Sequence, residues 1–454
     1  MGKLFGTDGV RGVAGVELTA ELAFRLGLAV GTVLKETTSD KPRVLIGKDT
    51  RLSGDMFESA MAAGLMAVGS DVCSVGVVPT PAVAYLVREI KADAGVMISA
   101  SHNPSEYNGI KVFGSEGYKL SDALEARVEE LTLSSGELAH SEGEEIGRAL
   151  PAGDLLLRYE RHVSTAYGGK ECPTRKRVLL DLANGSASAT AEHIFTSENF
   201  PGFAFDFIAD RPNGVNINRN CGSTKMEILC RRVKEEGYDV GIAFDGDADR
   251  CLMCDENGIL IDGDMLISAM AIALKNEGRL KENKVVVTKL TNLGFHHCMK
   301  AAEIEVPVTD VGDRYVLEEM LRCGSVIGGE QSGHVILLDY ATTGDGQITA
   351  SMALRLLASQ STKTASQVFG VMTRLPQVSL NVTVPNARKK EVMTNERVLE
   401  KKTAIEEALA DSGRILLRPS GTEALIRIML EGSDTDALLA QANELKAVIL
   451  EILG

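Results

Sequence analysis

A basic surplus is missing from this chain. Its 48 Lys and Arg stand against 63 Asp and Glu, a formal charge of −15. Nucleic acid and anionic membranes need a basic stripe to neutralise their phosphates, so both are poor partners for it. A local Arg/Lys funnel can still draw in a small anionic substrate. Runs of membrane-spanning length are also lacking. The opening MGKLFGTDGVRG has no apolar core of the secretory type, and a cytoplasmic protein is expected. The eight cysteines, at 73, 172, 221, 230, 251, 254, 298 and 323, are scattered rather than arranged as a disulfide framework. Cys251 and Cys254 form a lone CxxC with no second Cys/His pair at zinc spacing, which favours packing over metal or redox roles. No GxSxG elbow occurs, and no tract is of low complexity.

What is present is an ordinary globular composition, without tryptophan and with few other aromatics. At 454 residues the chain is too long for one core, and three or four domains are expected. Strand and helix patterns alternate three times. The first pass contains RVLIG, DMFESAMAAGLMAVG, DVCSVGV, AVAYLVREI and AGVMISA. The second runs RVLLDLA, a helical SASATAEHIF, FAFDFIAD, KMEILCRRVKEEG and DVGIAFD. The third covers DMLISAMAIALKNEG, KVVVTKL, a helix near Phe295–Ala302, EVPVTD, RYVLEEMLR and SVIGGE. Such alternation predicts βαβ units with parallel or mixed sheets. HSEGEEIGRA (140–149) reads as a linker or connecting helix. From about Pro376 the pattern changes to a strand (VSLNVTVP), a charged helical stretch (389–411), a hairpin (RILLRPSGTEALIRIMLEG) and a closing helix, an α+β arrangement. The expected domains are 1–150, 151–254, 255–370 and 371–454.

The chemistry-bearing residues sit where these strands end. ISASHNPSEYNGIKVF (98–113) closes an apolar strand with Ser101, His102 and an Asn-Pro that forces a turn. Ligands of open α/β sheets bind beyond the carboxyl ends of strands, so Ser101 is placed to react. In FDGDADR (244–250), Asp245, Asp247 and Asp249 alternate, and residues two apart in an extended segment project to one side. Three converging carboxylates repel unless a cation neutralises them, and oxygen-only ligands suit Mg²⁺ or Ca²⁺. The stretch nearly fits an EF-hand loop with Glu256 at position twelve. However, Arg250 stands where that loop needs Gly, and the flanks read as strands.

RPSGTEALIR (418–427) is a hairpin turn that offers backbone N–H groups, the Ser420 and Thr422 hydroxyls, and two guanidinium groups, a set suited to phosphate. Its other reading is a polar turn with a structural arginine. GGEQSGH (328–334) presents Glu330 and Ser332 as partners for vicinal hydroxyls, with an ordinary turn as the alternative. GTDGVRG (6–12), GKDTRLSG (47–54) and TTGDG (342–346) each join glycine to charge and are individually weak signals. A serine beside a metal trio and a phosphate clamp points to phosphoryl transfer, where positioning and charge neutralisation supply most of the catalysis.

These four loops, SASHNP, DGDADR, GEQSGH and RPSGTE, stand in the order found in the α-D-phosphohexomutase superfamily, and the chain resembles it over essentially its whole length. FGTDGVRG, NINRNCGST (216–224), Gln331 and LDYATTGDG make its bacterial phosphoglucosamine mutase branch the nearest resemblance. The resemblance implies a four-domain α/β architecture: three related α/β domains with mixed sheets, then an α+β domain, with the active site in the central cleft. It implies that Ser101 is phosphorylated and joins Asp245, Asp247 and Asp249 in holding one Mg²⁺. Arg250 would face the transferring phosphoryl group, and Glu330 and Ser332 the sugar hydroxyls. Arg418, Ser420, Gly421, Thr422 and Arg427 would hold the other phosphate. Arg11, Lys111, His102 and His334 fall in matching loops, Lys111 and His334 being candidates for proton transfer.

The implied reaction interconverts glucosamine 6-phosphate and glucosamine 1-phosphate through a 1,6-bisphosphate, which also serves as activator. Its product would feed UDP-N-acetylglucosamine and cell-wall synthesis, and dimerisation through the first domain is implied as well. A phosphomannomutase or phosphoglucomutase specificity, a phosphatase using Asp245 as nucleophile, and a non-catalytic sugar-phosphate sensor are the alternatives. Two positions depart from the pattern: Ala424, where Pro is usual, and Lys289, where an apolar residue is usual.

Overall fold

The computed structural model describes residues 4–6, 9–38, 41–134, 136, 138, 140–420 and 424–454. Among the described residues the strands form four sheets. The first contains β1 (Val10–Val13), β2 (Arg43–Lys48), β3 (Asp71–Val77), β4 (Ala94–Ile98), β5 (Tyr107–Gly114) and β6 (Ala149–Leu150), in the order β1-β5-β4-β2-β3-β6. Strands β4, β2, β3 and β6 are parallel, and β5 runs antiparallel to both β4 and β1. Successive residues face opposite ways in a strand. Val44, Ile46, Val96 and Ile98 accordingly pack with Leu26, Val30, Phe57 and Met61 of helices Ala20–Thr37 and Gly54–Ala67. On the other face Gly47 and Gly95 lie against Val83 of helix Thr80–Glu89.

The second sheet comprises β7 (Lys176–Asp181), β8 (Phe203–Ile208), β9 (Val240–Phe244), β10 (Cys251–Asp255) and β11 (Leu260–Ile261), ordered β11-β10-β9-β7-β8. β8, β7 and β9 are parallel, β10 is antiparallel to β9, and β11 is antiparallel to β10. A third sheet of β12 (Val286–Thr288), β13 (Val308–Thr309), β14 (Ile327–Gly329) and β15 (Val335–Leu337) is likewise mixed. The fourth, β16 (Gln377–Thr383), β17 (Arg414–Pro419) and β18 (Leu425–Glu431), is antiparallel in the order β16-β18-β17. It shares its apolar core with helices Glu396–Leu409 and Thr435–Leu453. Mixed α/β sheets followed by an α+β segment are the expected fold class.

By packing, the chain falls into two compact units: Met1–Leu290 with Ile304–Val371, and Thr291–Glu303 with Met372–Gly454. Helix Leu293–Ala301 therefore belongs with the C-terminal sheet. Asn292 binds both backbone groups of Leu375, and the Leu293 N–H donates to Glu431. Among the described residues no helix is long and apolar enough to cross a membrane.

Three local expectations are corrected. SASATAEHIF is not a regular helix but a 3-10 turn at Ser186–Ala189 and a single turn at Ala191–Ile194. There the Ser186 N–H is spent on the Gly246 carbonyl and the Ser188 and Thr190 hydroxyls bond locally, the competition that makes such residues poor helix formers. Within HSEGEEIGRA only Gly143–Glu145 form a helical turn, of the 3-10 type, and its last residue, Ala149, opens the edge strand β6. The charged stretch after residue 388 breaks into two helices because Asn395 leaves the helix to cap the second.

His296, in the C-terminal unit, has its pKa pushed down to about 4 by burial and by the neighbouring Arg414. A folded state that resists protonation keeps this contribution above pH ~6.5 and loses it as the pH falls towards the folded value. Thermal unfolding from pH 7 to pH 4 should show an acid-side decline in this unit's stability, and His296→Gln should flatten that decline.

Candidate active site

β4 and β9 end side by side in function, one feeding the serine loop and the other the three aspartates. Ser101 follows β4, is buried, and holds a left-handed backbone at φ 51°. Its N–H donates to Ser99 Oγ at 2.9 Å, and its own Oγ donates to Asp245 Oδ2 at 2.7 Å. His102 Nδ1 lies 3.3 Å from the same Oγ. Burial, together with Arg250 and Arg11, pushes the His102 pKa down to about 4, which leaves a neutral imidazole.

Asp245, Asp247 and Asp249 each place a carboxylate oxygen within 4.8 Å of the others. Burial and the two neighbouring carboxylates drive the pKa of Asp245 far up. Asp247 goes the other way: its burial is outweighed by Lys111, whose Nζ is 2.8 Å away, and by the Thr80 hydroxyl at 2.6 Å. Oδ1 of Asp247 and Oδ1 of Asp249 are buried with no hydrogen-bond donor among the described residues. Unpartnered carboxylate oxygens at the centre of an all-oxygen trio fit a hard divalent cation. The EF-hand alternative fails, because β9 and β10 flank the loop and Glu256 instead accepts from the Ser366 N–H and hydroxyl. Cys251 and Cys254 are three apart on β10, hence on opposite faces, and both are buried free thiols.

Arg250 lies past the trio with Nε 3.8 Å from Asp249. Burial opposes its charge, but Asp245, Asp249 and Glu330 raise its pKa overall. Arg11, on β1, interacts electrostatically with both His102 and Asp247.

The loop between β14 and β15 docks against the same strands, its Gly333 carbonyl accepting from the Cys251 N–H. Glu330 accepts from the Gly312 N–H at 3.2 Å and from Ser332 Oγ at 3.5 Å. His334 points Nδ1 towards Asp249 at 3.6 Å and Nε2 towards Asp313 at 3.9 Å. Its burial disfavours charge, yet Asp249, Asp313 and Glu330 lift the pKa to about 9. The Gly344 N–H donates to Nε2 at 3.1 Å and opposes that protonation, since an acceptor nitrogen carries no proton. The acidic neighbours and the Gly344 N–H thus act on the ring's charge in opposite directions. Gly344 is packed flat on the ring; a Cβ there would stand 2.5 Å from it.

In the C-terminal unit, Arg418 on β17 pairs directly across from Arg427 on β18. Burial and the facing Arg427 lower the pKa of Arg418. Like charges opposite one another destabilise a ladder. The Ser420 N–H donates to the Leu425 carbonyl, and Lys389 Nζ donates to the Ser420 carbonyl at 2.6 Å. Gly421 and Thr422 lie outside the described residues. Ala424 supplies a carbonyl to the Val384 N–H, and Lys289 pairs with Asp310 at 2.6 Å, half exposed.

Several supporting residues were not singled out from the sequence. Arg51, buried beside Asp49, donates to the carbonyls of Ser101 and Asn103 at 2.9 Å each, of Tyr107 at 3.0 Å, and of Pro104. It thereby staples the whole serine loop, and Asp49 also accepts from Ser99 Oγ at 2.6 Å. Thr80 and Asp313 join it. The signal for Arg51 was present in GKDTRLSG, but charge beside glycine is too common to single out.

Gly246 separates the trio from the serine loop. A Cβ there would meet the Ser101 carbonyl at 2.5 Å and Asn218 Nδ2 at 2.8 Å. Gly246→Ala should cost ~1–3 kcal/mol by forcing these backbones apart. It should also weaken Mg²⁺ binding, read by isothermal titration, by about tenfold.

Four phosphoglucomutase/phosphomannomutase family models match the chain: α/β/α domain I at residues 2–138, domain II at 158–258, domain III at 262–375 and the C-terminal domain at 380–448. A phosphoglucosamine mutase of Acetivibrio thermocellus is 48% identical over 455 residues, covering 100% of both chains. Among solved structures, a phosphoglucomutase/phosphomannomutase family protein from Burkholderia thailandensis shares the fold with TM-score 0.80 and 21% identity, over 99% of this chain and 97% of that one. An Aspergillus fumigatus N-acetylphosphoglucosamine mutase, solved with GlcNAc-6P and magnesium, aligns with TM-score 0.67 and 16% identity, over 99% and 96%.

Proposed function

The chain belongs to the phosphoglucosamine mutases, within the α-D-phosphohexomutase superfamily, and we propose that Ser101 is the group that carries the phosphoryl unit this activity moves. The enzyme interconverts glucosamine 6-phosphate and glucosamine 1-phosphate, a precursor step for amino-sugar nucleotides. The observation that supports Ser101 most directly is its Oγ, 2.7 Å from Asp245 at the edge of a buried trio with unpartnered oxygens.

Phosphorylated Ser101 gives its phosphoryl group to the free sugar hydroxyl: the Oγ–P bond breaks and a sugar O–P bond forms. The resulting 1,6-bisphosphate turns over and returns its other phosphoryl group to Ser101. A hexose 1,6-bisphosphate would also prime unphosphorylated enzyme. One Mg²⁺ held by Ser101, Asp245, Asp247 and Asp249 would neutralise charge on the phosphoryl oxygens.

Arg250 would hold those oxygens against drift. Lys111 and His334 are the candidates for proton transfer to and from the sugar oxygens. His334 is supported by its opposed partners, Gly344 against Asp249 and Asp313. Glu330 and Ser332 take sugar hydroxyls, and Arg418, Ser420, Gly421, Thr422 and Arg427 take the phosphate that is not in transfer.

Phosphorus NMR with Mg²⁺, a trace of hexose 1,6-bisphosphate and glucosamine 6-phosphate should show the 1-phosphate growing without free phosphate. Glucose and mannose 6-phosphates should convert more slowly. Ser101→Ala should lose roughly 10³-fold or more of the rate. Undiminished turnover in that variant, with free phosphate as product, would instead mean a phosphatase.

A further inference from the structure

Non-glycine residues with left-handed backbone crowd the surroundings of Ser101. Besides Ser101 itself, Ala183 (φ 56°), Asn184 (46°), Asn218 (59°) and Ala248 (54°) lie on loops that touch it or its neighbours. Such conformations persist only where surrounding contacts over-determine them, and they gather at functional sites. One side chain ties these loops together. The Asn218 N–H donates to the Ala183 carbonyl at 2.8 Å. Its Nδ2 donates to the carbonyls of Ser101 at 2.9 Å and of Asn103 at 3.2 Å, and it lies 2.8 Å from where a Cβ on Gly246 would stand. The two carbonyl acceptors settle the amide orientation, since the flipped form would set oxygen against oxygen.

A carbonyl oxygen has two lone pairs. At Ser101 one is taken by Arg51 Nη2 at 2.9 Å and the other by Asn218 Nδ2. With the Ser101 N–H also bound to Ser99 Oγ, both peptide groups of this residue are pinned, and only χ1 remains to carry Oγ between the trio and a substrate. Arg51 comes from the domain that bears the serine, whereas Asn218 comes from the segment that bears the metal loop. The Asn218 bond therefore fixes Ser101 relative to the aspartates, which Arg51 alone cannot do. We propose that Asn218 is a positioning residue for phosphoryl transfer, holding Ser101 in its left-handed conformation so that Oγ is aimed at the three-aspartate site. This rests on the function proposed for Ser101. Asn218 touches no reacting atom, so substrate affinity is not its task.

Asn218→Gly removes the side chain and tolerates φ 59°, while Asn218→Asp keeps the size and replaces the donor by an acceptor. The assay measures kcat and KM for glucosamine 6-phosphate, the thermal midpoint, and the rate at which glucose 1,6-bisphosphate phosphorylates Ser101, followed by intact mass. In both variants kcat and the phosphorylation rate should fall together by about tenfold. KM should stay within about twofold, with the thermal midpoint little changed. Several results overturn the assignment: kcat within about twofold of the unaltered enzyme, a rise in KM that accounts for the loss, or both variants failing to fold, which would make Asn218 merely structural. If only Asn218→Gly fails to fold, Asn218→Asp decides. Should the unaltered enzyme interconvert no sugar phosphate, it is the function that falls. The phosphorylation rate of Ser101 still tests Asn218 in that case.

Discussion

Three carboxylates confined within 4.8 Å of one another, two of them fully buried, form the constraint around which the serine-bearing unit is organised. Removing charge from water is costly, and like charges held together compound the cost. Each neighbour answers part of it. Lys111 and Thr80 hold Asp247 ionised, Ser101 gives Asp245 a hydrogen bond, and Arg250 and His334 lean on Asp249. The oxygens left over are where a cation belongs. The same residues that make the trio tolerable are those proposed to handle a phosphoryl group, so on that reading stabilisation and chemistry draw on one set of side chains.

The scaffold delivers these groups from the ends of strands in three separate sheets. β4 releases the serine loop and β9 the trio, while the β14–β15 loop returns to the Cys251 end of β10. None of these loops is held by its own turn alone. Arg51 spends its donors on serine-loop carbonyls, Gly344 lies flat on His334, and Gly246 admits the serine loop to close approach.

Local pattern made much of this legible. Asp245, Asp247 and Asp249 do converge, but not by the alternation of an extended segment: they lie on a turn between β9 and β10, with Ala248 at φ 54° and its N–H on the Asp245 carbonyl. The Asn-Pro after His102 predicts a turn, and the alternation of strands and helices predicts mixed α/β sheets with a final α+β segment. Three of the loops have described geometry compatible with their readings, and the Arg418–Arg427 pairing follows from hairpin register. What stayed hidden was tertiary. Nothing in GKDTRLSG says that Arg51 will reach four carbonyls some 50 residues away, and Thr80 looks like any residue at a helix start beside Pro81. The 186–195 segment does not form the expected helix because its Ser188 and Thr190 hydroxyls bond locally and its first N–H is claimed by Gly246 from another loop.

Helix Leu293–Ala301 is folded into the C-terminal unit although its sequence lies among strands of the other. Asn292 and Leu293 satisfy Leu375 and the fully buried Glu431, which also binds Arg414 and Gln377. The last unit is thus discontinuous, and the chain crosses between units three times. Ribosomal synthesis leaves that helix waiting for some seventy residues before its partners emerge. A fragment beginning at residue 372 would expose a carboxylate built to be covered. This unit cannot be gained, lost or exchanged as a simple tail, so recombination at the C-terminus must carry the inserted helix with it or leave the fold incomplete.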